Sequence, residues 1–489
     1  MRTLALCLAA AAILAGCSQA SSPAAQSSQA AGAAADIAKV QAVRQAAGDA
    51  ASAVAAPDVV AAVFDTGHQM GEPTLGITKD FHIFAASDTA DPQFTFRTDI
   101  LRSDDGGKTW KDVSPFLAGQ RTHPQTGDPM IWLDVDTGRL FDMDQINLLC
   151  DQISTTDDNG ATWVGPSPSC ALPVSDHQTI VTGKPTTIPA SPLYPKLVYM
   201  CSNQLADTQC GRSLDGGHTF EVATPPYHLP SQMAGDQSVS CGALVGHLKP
   251  AADGTLYLPN GNCGKPVLAV THDSMVSWTF SVVSDIPSIG LDPTVAVGTD
   301  GTVYYTWVDD SGLMQMATSA DQGATWKAPI ALMPAGLTAA NLPASTAGGP
   351  GRMAAFYYAT NFPGGYKELN AGGAKDNATW DAYFTIVENA TGEHPTLTTV
   401  RLNDFGDPVF RGQCGPGRCP PGLYDFMDLQ LDGDGRPWAV MVDGCRDKCI
   451  GAGGNQADST AVAGEVATLL QGPSLLDGKP LPPIHGVKG

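Results

Sequence analysis

From Glu72 onward the chain repeats one arrangement: a short apolar segment, often headed by an acid or Pro, runs into a tight turn and then a second apolar segment. The segments are EPTLGIT at Glu72, DPMIWLDVDTGRLF at Asp128, DHQTIV at Asp176 and CGALVGHLKPAADGTLYL at Cys241. DPTVAVGTDGTVYYTW at Asp292, GRMAAFYY at Gly351 and DFMDLQLDGDGRPWAV at Asp425 complete the set. Asp253-Gly254 and Asp300-Gly301 sit between alternating apolar runs, a strong hairpin signal. The pattern predicts seven units of short antiparallel strands.

A second repeat runs in phase with the first. The octet Ser/Thr-x-Asp-x-Gly-x-Thr-Trp occurs as SDDGGKTW at Ser103, TDDNGATW at Thr156, SLDGGHTF at Ser213 and SADQGATW at Ser319. A degraded copy, THDSMVSW at Thr271, has Met275 where Gly is expected. The shared acids Asp105, Asp158, Asp215, Asp273 and Asp321 are 53, 57, 58 and 48 residues apart. The octet reads as a turn: hydroxyl and carboxylate bond turn amides, Gly takes a positive φ, and the aromatic packs inward. Units of this length hold four short strands each, the size of a propeller blade. Residues 58–475 are therefore expected to form one all-β propeller with four-stranded antiparallel blades. Seven blades is the first reading and six the second. Val59–Thr66 is a candidate for the strand that closes the ring.

These octets resemble the Asp-box, or bacterial neuraminidase repeat, of the sialidase superfamily. That resemblance implies that the boxes join outer strands away from the ligand face, so their Asp residues are structural. It also implies glycan engagement, with hydrolysis of terminal acidic sugars as the catalytic form.

The N-terminus adds a compartment. Met1-Arg2 precedes an apolar run from Leu4 to Leu14, a secretory signal too short to span a membrane. Its end, Leu14-Ala15-Gly16-Cys17, resembles a bacterial lipobox, which implies that residues 1–16 are a signal peptide cleaved off before Cys17 and that Cys17 carries lipid. Residues 17–57 are expected to be an Ala/Ser/Gln-rich tether, with a short helix over 36–55, and residues 476–489 a tail. The expected location is extracytoplasmic, periplasmic or cell-surface, with the outer membrane favoured. The lipid would be the only membrane contact.

Charge narrows the partners. With 27 Lys and Arg against 49 Asp and Glu, the formal net charge is −22. Such a chain repels phosphate backbones, which excludes nucleic-acid binding as a function class. A glycan or polysaccharide is the expected partner, and a ring without long exposed sheet edges suits a monomer. Ten cysteines remain after Cys7 and Cys17, an even set that reads as disulfides in an exported chain. Proximity pairs them as Cys150/Cys170, Cys201/Cys210, Cys241/Cys263, Cys414/Cys419 and Cys445/Cys449. No zinc-type spacing is present.

Candidate chemistry lies where the inner strands begin. Glu72, Asp128, Asp176 with His177, Asp292, Arg352, and Asp425 with Asp428 would converge on one mouth of the channel. Such a carboxylate ring could bind Ca²⁺ through oxygen ligands or supply a general acid and base. Asp-Pro and Glu-Pro could equally just cap strand starts. No other cofactor is expected, and Asp432–Gly435 reads as a hairpin turn, not a calcium loop. Sialidase resemblance implies an Arg triad, for which Arg97, Arg121, Arg352 and Arg411 are candidates. The string Phe96-Arg97-Thr98-Asp99 is the nearest to the family signature. In a hydrolytic version Arg352 and Arg411 would hold the sugar carboxylate. Asp128 or Asp176 would be the acid, and Tyr357 or Tyr358 the nucleophile. Glu72, His177, Asp292 and Asp425 would contact substrate. The rival reading is a non-catalytic binding or assembly propeller.

Overall fold

The computed structural model describes residues 41–485 except 91–95, 117–125, 147, 170–174, 205–206, 228–244, 262–263, 290–291, 371–377, 413–425, 452–453, 455, 457–458 and 460–461. Within these residues lie six four-stranded antiparallel sheets and one seven-stranded sheet. Their innermost strands are Gly71–Ile77, Pro129–Asp134, Asp176–Gly183, Lys249–Pro250, Thr294–Val297, Ala339–Ala347 and Asp428–Leu431. Each packs against the next and the last against the first, closing a ring around an axis. The fold is a β-propeller with four-stranded antiparallel blades.

Side chains near the axis tie the inner strands together. Ile131 N donates to Thr74 Oγ1 at 2.9 Å, Leu248 N to Thr179 Oγ1 at 3.0 Å, and Leu75 N to Asp428 Oδ2 at 3.0 Å. Each bond satisfies a buried amide that the neighbouring sheet cannot reach with its backbone.

Ring closure follows the expected strand. Val60–Asp65 pairs with Ala463–Gln471 and becomes the outer strand of the sheet begun by Asp428–Leu431. Arg446 clamps this junction, reaching Asp65 at 3.1 Å, Asp443 at 3.0 Å and Glu465 at 2.6 Å. Burial first, and then the Asp443 charge, push Glu465 up to about 8.

Two expectations are corrected. Residues 42–55 are not helical: Ala42–Ala46 and Asp49–Ala55 form a hairpin that pairs with Thr396–Arg401. Gly48 turns the hairpin with φ +75°. Pairing there satisfies an open sheet edge, which outweighs the helix propensity of the alanines. The first strand of the seven-stranded sheet is Ala339–Ala347, not the segment at Gly351. Met353–Thr360 is the second strand and is buried along its whole length. The C-terminal residues also pack on the fold: Pro473 bridges Pro480, and the Pro482 carbonyl accepts from Arg436.

The octets fold alike. Asp105 Oδ1 accepts from Thr109 N at 2.9 Å, its Oδ2 from Thr109 Oγ1 at 2.7 Å, and Gly107 N donates to Ser103 Oγ at 2.9 Å. The same bonds recur around Asp158, Asp215 and Asp321. Met275 holds the position of Gly107 with φ +61°, a conformation costly for a side chain. All five acids are occupied in their own turns. The box tryptophans Trp110, Trp163 and Trp326 are half-buried. Trp163 Nε1 donates to Val113 O at 2.8 Å, Trp278 Nε1 to Thr224 O at 2.7 Å and Trp326 Nε1 to Ser281 Oγ at 3.1 Å. Each of these indoles thus bonds to the outer strand region of the preceding sheet.

Two of the expected disulfides lie within the described residues, Cys201–Cys210 and Cys445–Cys449. The first joins directly opposed residues of adjacent strands. Cys150 is disulfide-bonded as well. Cys170, Cys241, Cys263, Cys414 and Cys419 lie outside the described residues. No described helix is long and apolar enough to cross a membrane.

Candidate functional site at the channel mouth

All innermost strands begin at one end of the channel. Three of them enter through the same device. Glu72, His177 and Leu342 adopt φ +47°, +46° and +48°, at register breaks between Gly71 and Thr74, Asp176 and Thr179, and Asn341 and Ala344. A non-glycine residue in this left-handed region costs roughly 1–3 kcal/mol, and such bulges re-aim side chains.

At this mouth the sequence candidates meet. His177 N donates to Asp128 Oδ2 at 3.2 Å. Gln145 Nε2 lies 3.3 Å from Asp128 Oδ2 and 3.4 Å from Asp176 Oδ1, bridging the two carboxylates. His177 Nδ1 lies 2.9 Å from Asp292 Oδ2. Asp428 Oδ1 accepts from Leu429 N at 2.8 Å and lies 4.0 Å from Lys249 Nζ. Asp128, Asp176, His177, Asp292 and Asp428 are therefore brought together. Glu72 heads its strand at the corresponding bulge and is buried.

Several mouth residues escaped the sequence reading. His247, Lys249 and Phe426 line a small cleft with Asp292, Ser345 and Asp428. Phe426 stands between two imidazoles, its ring centre 6.1 Å from His177 and 4.7 Å from His247. Burial first, then the Lys249 charge, push His247 down to about 4, so its ring is neutral at neutral pH. His247 and Lys249 open a first strand just as His177 does; that offset was the available signal.

Behind the mouth lies a tier of buried acids. Asp142 and Asp144 point to one face of Arg139–Ile146. Burial and then the Asp144 charge hold Asp142 well above the carboxylate range. Asp88 is pushed up to about 7, first by burial and then by the Asp128 charge. Asp151 reaches about 7 through burial, although the Ser175 hydroxyl donates to it at 2.9 Å. The alternation LFDMDQI carried this signal. Among the described residues no three His, Cys, Asp or Glu side chains are grouped to hold a metal ion.

The remaining candidates sit elsewhere. Arg352 follows the inner strand of its sheet, at the end remote from the mouth, and donates to Leu475 O at 3.1 Å and Leu476 O at 2.9 Å. Arg411 donates to Cys449 O at 2.6 Å, Ile450 O at 2.9 Å and Gly451 O at 3.1 Å. Both guanidiniums are held by backbone carbonyls. Tyr357 and Tyr358 are fully buried. The Tyr357 hydroxyl meets Thr385 Oγ1 at 2.8 Å; that of Tyr358 donates to Val442 O at 3.0 Å. Burial pushes Tyr357 above its usual range, which disfavours a phenolate. The apolar strength of GRMAAFYY marked a sheet interior, not a channel lining. Arg97 pairs with Asp99 at 3.3 Å. Asp425, Arg121 and Cys17 lie outside the described residues.

No protein-family model matches this chain, and no curated protein does. Solved structures similar to it include the BP39L lectin from Burkholderia pseudomallei, at TM-score 0.47 and 10% identity over 86% of this chain and 99% of that one. The intramolecular trans-sialidase from Ruminococcus gnavus is similar at TM-score 0.39 and 12% identity, covering 81% of this chain and 93% of that one. The Hadza microbial sialidase Hz136 is similar at TM-score 0.39 and 16% identity, over 59% of this chain; this chain spans 63% of that protein. Propeller lectins and sialidases thus stand among the structural neighbours, while the fold assignment rests on the strand order itself.

Proposed function

We propose that this chain is a lipid-anchored, extracytoplasmic propeller that engages a glycan or polysaccharide at the channel mouth and acts as a monomer. In this reading the seven-stranded sheet counts as a seventh blade. One observation carries the proposal: His247, Lys249, Asp292 and Asp428 line one cleft with Phe426, and His177, Asp128 and Asp176 adjoin it through the His177–Asp292 pair. Carboxylates accept hydrogen bonds while imidazole and ammonium donate them, a set suited to sugar hydroxyls. The cleft is small, about 20 Å³, so one protruding substituent enters it rather than a whole ring. Asp292 and Asp428 outnumber the single ammonium of the lining, and Asp128 and Asp176 stand beside them, which favours a hydroxyl or amine over a ligand carboxylate.

A catalytic version draws on the His177–Asp292 pair. A carboxylate-oriented imidazole beside Asp128 and Asp176 suits proton transfer. Exo-sialidase chemistry has weaker support, because Arg352, Arg411, Tyr357 and Tyr358 are engaged away from the mouth. The string Leu14-Ala15-Gly16-Cys17 supports the anchor. Cys17→Ser is expected to release the protein from membranes or leave it unprocessed; unchanged membrane partition would remove the anchor from the account. An array of neutral, amine-bearing and acidic glycans tests the ligand class. Binding to neutral or amine-bearing members supports the proposal. Binding only to acidic members would favour the sialidase form, and no binding at all would favour an assembly propeller.

A further inference from the structure

The octets contain one irregularity that opens a second candidate site, far from the axis. The box aromatics Trp163, Trp278 and Trp326 each donate an indole N–H to the preceding sheet. The box at Ser213 has Phe220 in that position. Phenylalanine is smaller and has no N–H to donate. Two residues before the box serine, the other boxes carry Leu101, Ser154, Ala269 and Ala317, whereas this one carries Gly211. Both changes remove side-chain volume from the same junction.

A groove of about 230 Å³ lies there. Pro168 and Ser169, on the outer strand Val164–Ser169, form one wall. Met200, Ser202, Gln209, Gly211, Phe220 and Glu221 of the next sheet form the other. Met200 and Ser202 lie opposite Gly211 and Gln209 across a strand pair, so all four share the face turned to the preceding sheet. Glu221 lies opposite Arg212, so its carboxylate turns to the other face, where Arg212 holds it at 2.6 Å and donates to Ser274 O of the following sheet at 2.7 Å; toward the groove Glu221 presents its backbone carbonyl beside Gly211.

We infer that this groove between sheets binds a single neutral pyranose unit. Phe220 and Met200 offer an apolar wall to the C–H face of the ring. Ser202, Gln209 and Ser169 offer hydroxyl and amide groups, and Glu221 its backbone carbonyl, to its hydroxyls. The combination of an apolar wall and a few polar groups is that of a small-molecule site. It is separate from the mouth and would give the propeller a second point of attachment to a glycan surface.

The test uses the mature protein with methyl glycosides of glucose, galactose and N-acetylglucosamine, titrated by NMR at millimolar concentration. Phe220→Trp should weaken binding more than about tenfold while leaving the melting temperature unchanged or raised. The indole fills the groove and can restore the missing bond. Asp292→Asn at the mouth should leave binding intact. Failure of all three glycosides to bind, or binding undiminished by Phe220→Trp, would overturn the inference. Loss of binding in Asp292→Asn alone would assign the sugar to the mouth and also overturn it. Failure of the mouth proposal leaves these outcomes unaffected.

Discussion

His177 Nδ1 lies 2.9 Å from Asp292 Oδ2, although the sheets these residues open are separated in the ring by a third. The sheet between them begins with a first strand of two residues, Lys249–Pro250. This short strand leaves its neighbours free to meet over it. The left-handed turn at His177 carries its ring toward Asp292, and the pair closes one side of the mouth.

Acid should stabilise the fold relative to alkali. Asp88 and Asp151 are raised to about 7, Asp443 to about 6 and Glu465 to about 8, in each case by burial first. In that range the folded state holds more protons than the unfolded one, so stability falls as pH rises from about 4 through these values. His247, lowered to about 4 by burial, acts oppositely: stability falls as pH drops from about 6.5 toward 4. Asp158 and Asp321, held at about 2 first by the Thr162 and Thr325 hydroxyls, lose their contribution only as pH falls toward 2. The melting temperature should be higher at pH 5 than at pH 8. Glu465→Gln should flatten that difference. A melting temperature that rises from pH 5 to pH 8 would contradict the assignment of these buried acids.

Trp163→Ala should cost about 2 kcal/mol, less than a fully buried aromatic because the ring is half-exposed. The loss comes from contact with the preceding sheet and the bond to Val113 O. Chemical denaturation measures it. Ligand affinity of the folded protein should be unchanged, since the box lies away from the mouth.

Arg352→Ala should lower stability by about 1–2 kcal/mol through loss of its bonds to the Leu475 and Leu476 carbonyls. Glycan affinity should stay the same. Lost affinity with normal melting would return Arg352 to the site.

The repeats were legible because each rests on a local rule. Asp105 and its equivalents bond within five residues of chain, and Asp300-Gly301 turns the hairpin between Thr294–Val297 and Val303–Val308. The ring-closing strand was legible because Val59–Thr66 alternates and lacks a local partner. Ala339–Ala347 was not, because a strand beside the axis needs small residues and a Pro-containing bulge, which read as loop. The N-terminal hairpin was hidden for a similar reason. Its alanines favour a helix until a sheet edge is offered, and that edge, Thr396–Arg401, lies some 350 residues away. At the mouth, strand-opening acids pointed to Asp128, Asp176 and Asp292. His247 and the Asp142–Asp144 tier depend on which face a strand turns inward, and that is fixed only by neighbouring sheets.

Titration of the wild type and of Asp292→Asn with one glycan selected from the array shows whether the glycan sits at the channel mouth. Asparagine keeps the shape of the side chain but removes the charge that orients His177. Binding to the variant should be at least about tenfold weaker, with a melting temperature close to the wild type. Equal affinity in both proteins would contradict glycan engagement at the channel mouth.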